Sequence, residues 1–195
     1  MVEPLEVPSK EAIALLNPFS GLRLNDIAVP ATEKEFTAAQ SELLNETHVG
    51  FDTESKPTFF KGEQSTGPHI VQFATLSKAY IFQVNRKEGR NALISILQSN
   101  NVVKVGFGLK SDLKLIENKL AINAAAVIDL DYLFRKRGYR KEVGVKAGVA
   151  IVLNQRFQKP KSVTTSNWAQ YNLKPNQLIY AANDAYAAIK VYHSL

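Results

Sequence analysis

Residues 48–54 read His-Val-Gly-Phe-Asp-Thr-Glu, an apolar run that leads directly into two acids. Valine and phenylalanine at alternating positions are typical of a buried strand. Side chains alternate faces along a strand, so Asp52 and Glu54 are predicted to project to the same side while Thr53 points away. Neighbouring carboxylates stay ionised most easily when a cation neutralises them, and oxygen-only ligation favours Mg²⁺ or Mn²⁺ over zinc. The pattern indicates a metal site, although two surface acids at a strand end would show the same Asp-x-Glu spacing.

The segments around this strand predict an α/β domain with a mixed sheet. Residues 70–74 and 80–84 are apolar and β-rich, and with the first strand they predict a three-stranded meander. A capping box at Thr32 and Glu35 predicts the start of a helix over residues 32–45. Further strands are predicted over residues 102–107 and 125–128, and further helices over 90–98, 111–120, 132–137, 143–154 and 175–193. Strands that alternate with helices in this way indicate an α/β fold.

Length and composition fit one well-buried core. The chain has 195 residues, of which 45% are hydrophobic. We therefore expect one domain over residues 28–195, with residues 1–27 forming a leader that packs on it. The N-terminal residues lack both a basic start and a sustained apolar run, which argues against a signal peptide, and no stretch approaches membrane-spanning length. We expect an intracellular, cytoplasmic protein without a membrane association.

Charge and missing residue types narrow the chemistry. The sequence contains no cysteine, which excludes disulfides, thiolate catalysis and cysteine-rich zinc sites. Its histidines are dispersed, at positions 48, 69 and 193, so a histidine-based metal site is not expected. The 24 Lys and Arg residues against 18 Asp and Glu leave a formal charge of +6, which suits a polyanionic partner such as a nucleic acid.

Two further segments carry candidate functional side chains. Tyr180 and Asp184 lie four positions apart on one face of the C-terminal predicted helix, and the small residues between them let that face approach another element closely. The alternative is a half-buried core tyrosine with Asp184 at its rim. Asp112 occupies the first turn of a predicted helix, behind a flexible Gly-Phe-Gly segment at residues 106–108 that would admit a substrate or a backbone.

A second pair of acids follows an apolar strand, at Asp129 and Asp131. Asp129 directly precedes a helical stretch and is predicted to cap its free N–H groups. Asp131 is then an acid in the first helical turn, where the helix dipole favours a negative charge. We therefore assign this pair a structural role.

Three segments together resemble the motifs of a known nuclease superfamily. They are Phe51-Asp52-Thr53-Glu54, Val105-Gly106-Phe107-Gly108-Leu109-Lys110-Ser111-Asp112 and Tyr180-Ala181-Ala182-Asn183-Asp184-Ala185-Tyr186. In order and in flanking sequence they are similar to the DEDD superfamily of 3′-to-5′ exonucleases, tyrosine subclass, which includes ribonuclease D and the Werner-syndrome-type exonuclease domain. Residues 70–74 and 161–168 look like the second strand and the lysine-to-tryptophan loop of this family. The resemblance extends over about residues 28–193.

The resemblance implies a ribonuclease-H-like fold, in which a mixed five-stranded sheet has its second strand antiparallel to the rest and helices cover both faces. It also implies two divalent metal ions, Mg²⁺ or Mn²⁺. Asp52, Glu54 and Asp184 would bind the first ion, Asp52 and Asp112 the second, and Tyr180 would position the attacking water. The implied activity is the release of nucleoside 5′-monophosphates from a single-stranded or frayed 3′ end of DNA or RNA. The alternative is a catalytically silent module that binds such an end.

Substrate contacts are predicted from aromatic and basic residues. Phe107 and Trp168, like Phe59 and Phe60, could stack on terminal bases, with core packing as the alternative. The basic segment at residues 135–141 could track phosphates or form a solvated loop. The same two interpretations apply to three lysines, Lys159, Lys161 and Lys174.

Overall fold

Strands and helices alternate along most of the chain in the computed structural model, which describes residues 5–58, 60 and 62–195. The strands are β1 (Asn17–Pro18), β2 (Ile27–Ala28), β3 (His48–Glu54), β4 (Ile70–Ala74), β5 (Ala79–Gln83), β6 (Val103–Gly106), β7 (Val127–Asp129) and β8 (Gln155–Arg156). The α-helices are α1 (Lys10–Ala14), α2 (Glu33–Leu44), α3 (Arg90–Gln98), α4 (Lys110–Leu120), α5 (Leu130–Lys136), α6 (Val145–Leu153), α7 (Lys161–Thr164) and α8 (Pro175–Ser194). The predicted elements are present, with boundaries that differ by a few residues.

The central sheet is mixed. Its strand order is β2-β5-β4-β3-β6-β7, and β4 runs antiparallel to both of its neighbours. The other pairings are parallel, so β4 alone opposes the common direction of this sheet. This confirms the predicted mixed sheet, in which the strand over residues 70–74, here β4, is antiparallel to the rest. The two-residue β2 adds a sixth strand at one edge, which the sequence did not predict because so short a segment shows no alternation of polar and apolar residues.

Helices cover both faces of this sheet, as predicted. One face packs against α8 through small and branched residues, namely Ile70, Ala74, Ala79 and Ile81 of the sheet and Ala181, Ala182, Ala185 and Ile189 of the helix. The other face packs against α2 and α3 around an aromatic core that includes Phe36, Phe51, Phe73 and Phe82. The alternation of side chains along β3 follows from these two layers. Phe51 faces the aromatic core, so Asp52 faces the α8 side.

The close approach of α8 to β3 depends on Gly50. A Cβ atom added there would lie 1.8 Å from the Ala185 carbonyl oxygen, a distance that no side chain tolerates. Glycine in the strand and alanines in the helix therefore let the two backbones come together. This packing brings the C-terminal end of the sequence against the strand that carries Asp52.

The segment before β2 lies against α8. The Phe19 ring packs on Phe157 and Tyr186 with centroid distances of 5.4 and 5.9 Å, and the Leu22 N–H donates to Asn183 Oδ1 at 2.7 Å. A small parallel sheet pairs β1 with β8. The domain boundary at residue 28 stays a prediction. Within the described part of the chain, no helix combines the length and the apolar character needed to cross a membrane.

Candidate metal and active site

Three of the predicted acids converge at one end of β3. Single carboxylate oxygens of Asp52, Glu54 and Asp184 all lie within 4.8 Å of one another. The first two acids share a strand face because they are two positions apart, and the third comes from α8, which covers that face. The structure thus brings together side chains that are more than 130 positions apart in the sequence.

Asp112 lies beside this cluster but is not one of its three members. It stands in the first turn of α4, where the Thr53 hydroxyl donates a hydrogen bond to Asp112 Oδ1. Thr53 points away from Asp52, as the strand alternation predicts, and so connects β3 to α4. The charge of Asp112 nevertheless acts on the cluster, because burial, Asp184 and then Asp112 raise the pKa of Asp52 well above its usual range. Sequence reasoning missed the role of Thr53, since the contact joins residues 59 positions apart.

Asp129 holds the turn that leads into α4. Its two carboxylate oxygens accept hydrogen bonds from the backbone N–H groups of Gly108 and Leu109 at 3.0 and 2.9 Å, and Oδ1 also accepts from the Asp131 N–H at 3.1 Å. Asp131 in turn accepts from the Val143 N–H at 2.8 Å. These bonds confirm the structural role predicted for this pair. They also show that Asp129 fixes the loop preceding the helix of Asp112.

Tyr180 is buried one helical turn before Asp184. Its side chain packs against Trp168 with a centroid distance of 5.8 Å, and its hydroxyl lies 3.0 Å from Thr164 Oγ1. Burial and then the Asp184 charge raise the pKa of the Tyr180 phenol. The phenol is therefore neutral at physiological pH and can act as a hydrogen-bonding group.

The acids of the cluster lack sufficient compensation from the protein. Burial, followed by the charges of Asp52 and Asp184, raises the pKa of Glu54 to about 9. Burial likewise raises the pKa of Asp184 to about 6, against the opposing effect of Lys159. Asp184 Oδ1 is buried without a hydrogen-bond partner of normal geometry among the described residues. An orphaned carboxylate oxygen among crowded acids fits a divalent cation bound by oxygen ligands.

Lys159 supplies a positive charge inside the cluster. Its Nζ lies 2.9 Å from Asp184 Oδ2 and 5.4 Å from the centroid of the Tyr180 ring. Burial alone would lower the pKa of Lys159, but the carboxylates of Asp184 and Asp52 outweigh that effect and raise it. The sequence predicted only a phosphate contact or a solvated side chain here, because no local pattern connects this lysine to an acid 25 positions further along the chain.

The predicted substrate-contact residues fall into different environments. Phe107 lines a cavity of about 250 Å³ together with Asp52, Asp184 and Lys159. Trp168 is only 1% exposed and its indole N–H donates to the Thr164 carbonyl at 3.3 Å, which favours the alternative of core packing over base stacking. Lys161 is exposed at the start of α7.

Two other aromatic residues were predicted to contact bases. Phe60 is 80% exposed. Phe59 lies outside the described residues. Neither observation tests a contact with substrate.

The basic segment at residues 135–141 is largely engaged in intramolecular contacts. Arg135 forms an ion pair with Asp131 at 2.6 Å, and Lys141 forms one with Glu6 at 3.4 Å. The Lys136 ammonium lies 4.5 Å from the centroid of the Tyr132 ring. These partners favour the interpretation of a solvated segment over a phosphate track.

Known proteins resemble this chain in both sequence and structure. A family model described as 3′-5′ exonuclease matches residues 27–195. Over 149 residues the chain is 28% identical to the bifunctional 3′-5′ exonuclease/ATP-dependent helicase WRN of Mus musculus, an alignment that covers 75% of this chain and 11% of that protein. The chain thus spans only a small part of the length of this relative.

Solved structures share the fold. The crystal structure of the Aedes aegypti Nibbler EXO domain has a TM-score of 0.73 at 24% identity, with 89% of this chain and 88% of that chain covered. Trypanosoma brucei RNase D in complex with RNA U12 has a TM-score of 0.76 at 18% identity, with coverage of 87% and 62%. These similarities confirm the ribonuclease-H-like α/β architecture. Because the family model spans nearly the whole chain and the motif acids gather within one site, the chain belongs to the 3′-5′ exonuclease family of the DEDD superfamily.

Proposed function

We propose that this protein is a metal-dependent 3′-to-5′ exonuclease that releases nucleoside 5′-monophosphates from single-stranded or frayed 3′ ends. The observation that carries the proposal is the convergence of Asp52, Glu54 and Asp184 within 4.8 Å. Burying such a cluster costs free energy unless cations bind the carboxylates. The chain belongs to an exonuclease family, in which metal-bound acids would serve phosphodiester hydrolysis.

The proposed cations are Mg²⁺ or Mn²⁺. The donor set consists of carboxylate oxygens, which these hard cations prefer, and the described residues place no histidine in the cluster. Asp52, Glu54 and Asp184 would hold one ion, while Asp52 and Asp112 would hold a second. Bound ions of this kind stabilise the attacking and leaving oxygens of a phosphoryl displacement.

The remaining residues would orient the reactants. The Tyr180 hydroxyl would position the attacking water by a hydrogen bond, because its raised pKa keeps the phenol protonated at neutral pH and so unable to accept the proton of the water. Thr164 holds that hydroxyl at 3.0 Å, and the ring is wedged against Trp168. Phe107, which lines the cavity beside the acids, would contact the terminal nucleotide.

The proposed substrate is a nucleic acid with an accessible 3′ end. The formal charge of +6 favours a polyanion, and the cavity opens beside the acid cluster. One structural relative, Trypanosoma brucei RNase D, is in complex with RNA, while mouse WRN is named as both an exonuclease and a helicase. Both RNA and DNA ends therefore belong in a test of the substrate.

The test is a matched panel of labelled single-stranded DNA, duplex DNA and RNA, blocked at either end, with and without Mn²⁺. We expect mononucleotide release that requires Mn²⁺ and a free 3′ hydroxyl. Glu54→Gln should abolish release, whereas Glu117→Gln, the same chemical change at an exposed position on α4, should not. Equal activity of these two variants would contradict the proposal.

The same panel distinguishes the alternative of a catalytically silent 3′-end binding module. That module would bind labelled ends without shortening them in Mn²⁺.

A further inference from the structure

Lys159 lies within the acid cluster, and its ammonium contacts one of the acids directly. Its Nζ is 2.9 Å from Asp184 Oδ2, and the side chains of Lys159 and Asp184 are only 28% and 2% exposed. Within residues 5–58, 60 and 62–195, no other Lys or Arg forms an ion pair with an acid of the cluster. A buried charge normally requires a partner, and this contact gives the Asp184 carboxylate one.

The ammonium contacts a carboxylate that a divalent cation would need as a ligand. Both carboxylate oxygens of Asp184 are buried without a hydrogen-bond partner of normal geometry in the described residues, and Oδ2 forms the ion pair with Lys159. A divalent ion held by Asp184 and the other acids would share the Asp184 carboxylate with this ammonium, and two positive charges repel strongly in a site shielded from water. The lysine and the ion therefore compete for the same carboxylate.

Lys159 lies in a loop, has a flexible side chain and lines a cavity that could hold a substrate. It lies in the segment between β8 and α7, and Pro160, not the lysine, is the residue that precedes the first turn of α7. Its side chain has a flexible four-carbon stem and lines the same cavity as Asp52 and Phe107. Once the acids are neutralised by metal, the anions left for this ammonium are the Glu142 carboxylate, which lines the same cavity, and the phosphate of a substrate bound there.

We propose that Lys159 exchanges ionic partners during binding. In the metal-free protein it neutralises Asp184, and when divalent ions take the carboxylates its ammonium contacts a non-bridging oxygen of the terminal phosphate of the substrate. The second contact rests on the proposed nuclease function. The first concerns metal binding alone.

The first contact is tested by titrating metal-free protein with Mn²⁺. Binding is followed by calorimetry or by the electron paramagnetic resonance signal of free Mn²⁺. We expect Lys159→Met to lower the dissociation constant for Mn²⁺ by about tenfold, because the competing charge is gone. Lys161→Met, the same change at an exposed position two residues away, should leave it within about twofold. Lys159→Arg keeps the charge and should not tighten binding.

The second contact is tested with adenosine 5′-monophosphate in the presence of saturating Mn²⁺. We expect Lys159→Met to weaken binding of this nucleotide by about tenfold, the loss of one charge-assisted hydrogen bond to phosphate. The proposal therefore predicts opposite changes in the two affinities, because Lys159→Met should bind Mn²⁺ more tightly and the nucleotide more weakly. A merely structural lysine would weaken both, and circular dichroism of each variant would verify folding.

The possible results separate this inference from the proposed function. Mn²⁺ affinity that is unchanged or weaker in folded Lys159→Met overturns the competition, while leaving a wild-type metal site intact. Tighter Mn²⁺ binding with unchanged nucleotide binding overturns the phosphate contact. Absence of Mn²⁺ binding by the wild type and by all variants overturns the metal site, and both proposals with it.

Discussion

The position of each functional side chain in the site is fixed by contacts with residues of other elements. The Tyr180 phenol is held by Thr164 and Trp168, and Asp112 is held by Thr53. Each of these supporting contacts is a hydrogen bond or a ring contact from another element. A conservative substitution of Tyr180 or Asp112 should therefore remove the functional group with little effect on folding.

Tyr180→Phe isolates the hydroxyl group. The ring should keep its contact with Trp168, so we expect unfolding to be easier by only about 1 kcal/mol, the value of one hydrogen bond. If the hydroxyl positions the attacking water, kcat for mononucleotide release should fall by about a hundredfold. Rapid-quench kinetics and thermal unfolding would measure both. An unchanged kcat would show that the hydroxyl has no role in the reaction.

Stability of the metal-free protein should decrease from pH 5 to pH 8. Glu54 has a folded-state pKa near 9 and Asp184 one near 6, both above their unfolded values. The folded state therefore binds more protons than the unfolded state, and stability is lost as pH rises from the unfolded pKa to the folded pKa.

Glu54→Gln should flatten this dependence. We expect the variant to be more stable than the wild type at pH 8 by about 1–3 kcal/mol, and similar to it at pH 4, where the wild-type carboxyl is protonated. Urea unfolding in the presence of a chelator would measure the difference. A wild-type protein whose stability rises over this pH range would contradict the assignment.

Elements matter here through the distance between α8 and β3. The helix carries Tyr180 and Asp184, and it reaches the strand only because Gly50 has no side chain. The acids can share a cation only while that approach is maintained.

Gly50→Ala should therefore disturb both folding and the site. The added methyl group would meet the Ala185 carbonyl, so we expect a loss of about 1–3 kcal/mol in the free energy of unfolding and weaker Mn²⁺ binding. Gly144→Ala is the matched control, because a Cβ there meets nothing within 4 Å and its φ is −78°. The control should lose less than about 1 kcal/mol. Equal effects of the two substitutions would show that the close approach is not limiting.

The whole molecule is linked by the acid cluster, which joins residues 52 and 54 to residue 184. A cation bound by these acids connects the N-terminal half of the sheet to the C-terminal helix. Because only the folded chain presents the complete set of ligands, metal binding should stabilise the fold.

Mn²⁺ should consequently raise the melting temperature. At a hundredfold excess over the dissociation constant we expect about 2.7 kcal/mol of stabilisation, and hence a shift of about 5–10 °C for a chain of this size. The shift should disappear in Asp52→Asn and should be reversed by a chelator. Differential scanning calorimetry would measure it, and an equal shift in the Asp52→Asn protein would place the binding elsewhere.

Much of this protein can be derived from local patterns along the chain. Alternation along β3 placed Asp52 and Glu54 on one face, helical periodicity placed Tyr180 and Asp184 together, and Asp129 was assigned its structural role from its position before a helix. Such inferences succeed because neighbouring residues obey the periodicity of their own element. The same patterns, through their order and flanks, indicated the exonuclease family.

Contacts between distant elements required the folded molecule. No periodicity connects Lys159 to Asp184 or Thr53 to Asp112, and nothing in the residues around Trp168 distinguishes an aromatic that packs in the core from one that stacks on a base. These outcomes depend on how closely layers pack and on which polar groups then lack water, and both are properties of the assembled core. The sequence by itself therefore identifies the acids that can bind metal. Only the tertiary structure, through the packing of α8 on the sheet, shows that Asp184 lies beside Asp52 and contacts Lys159.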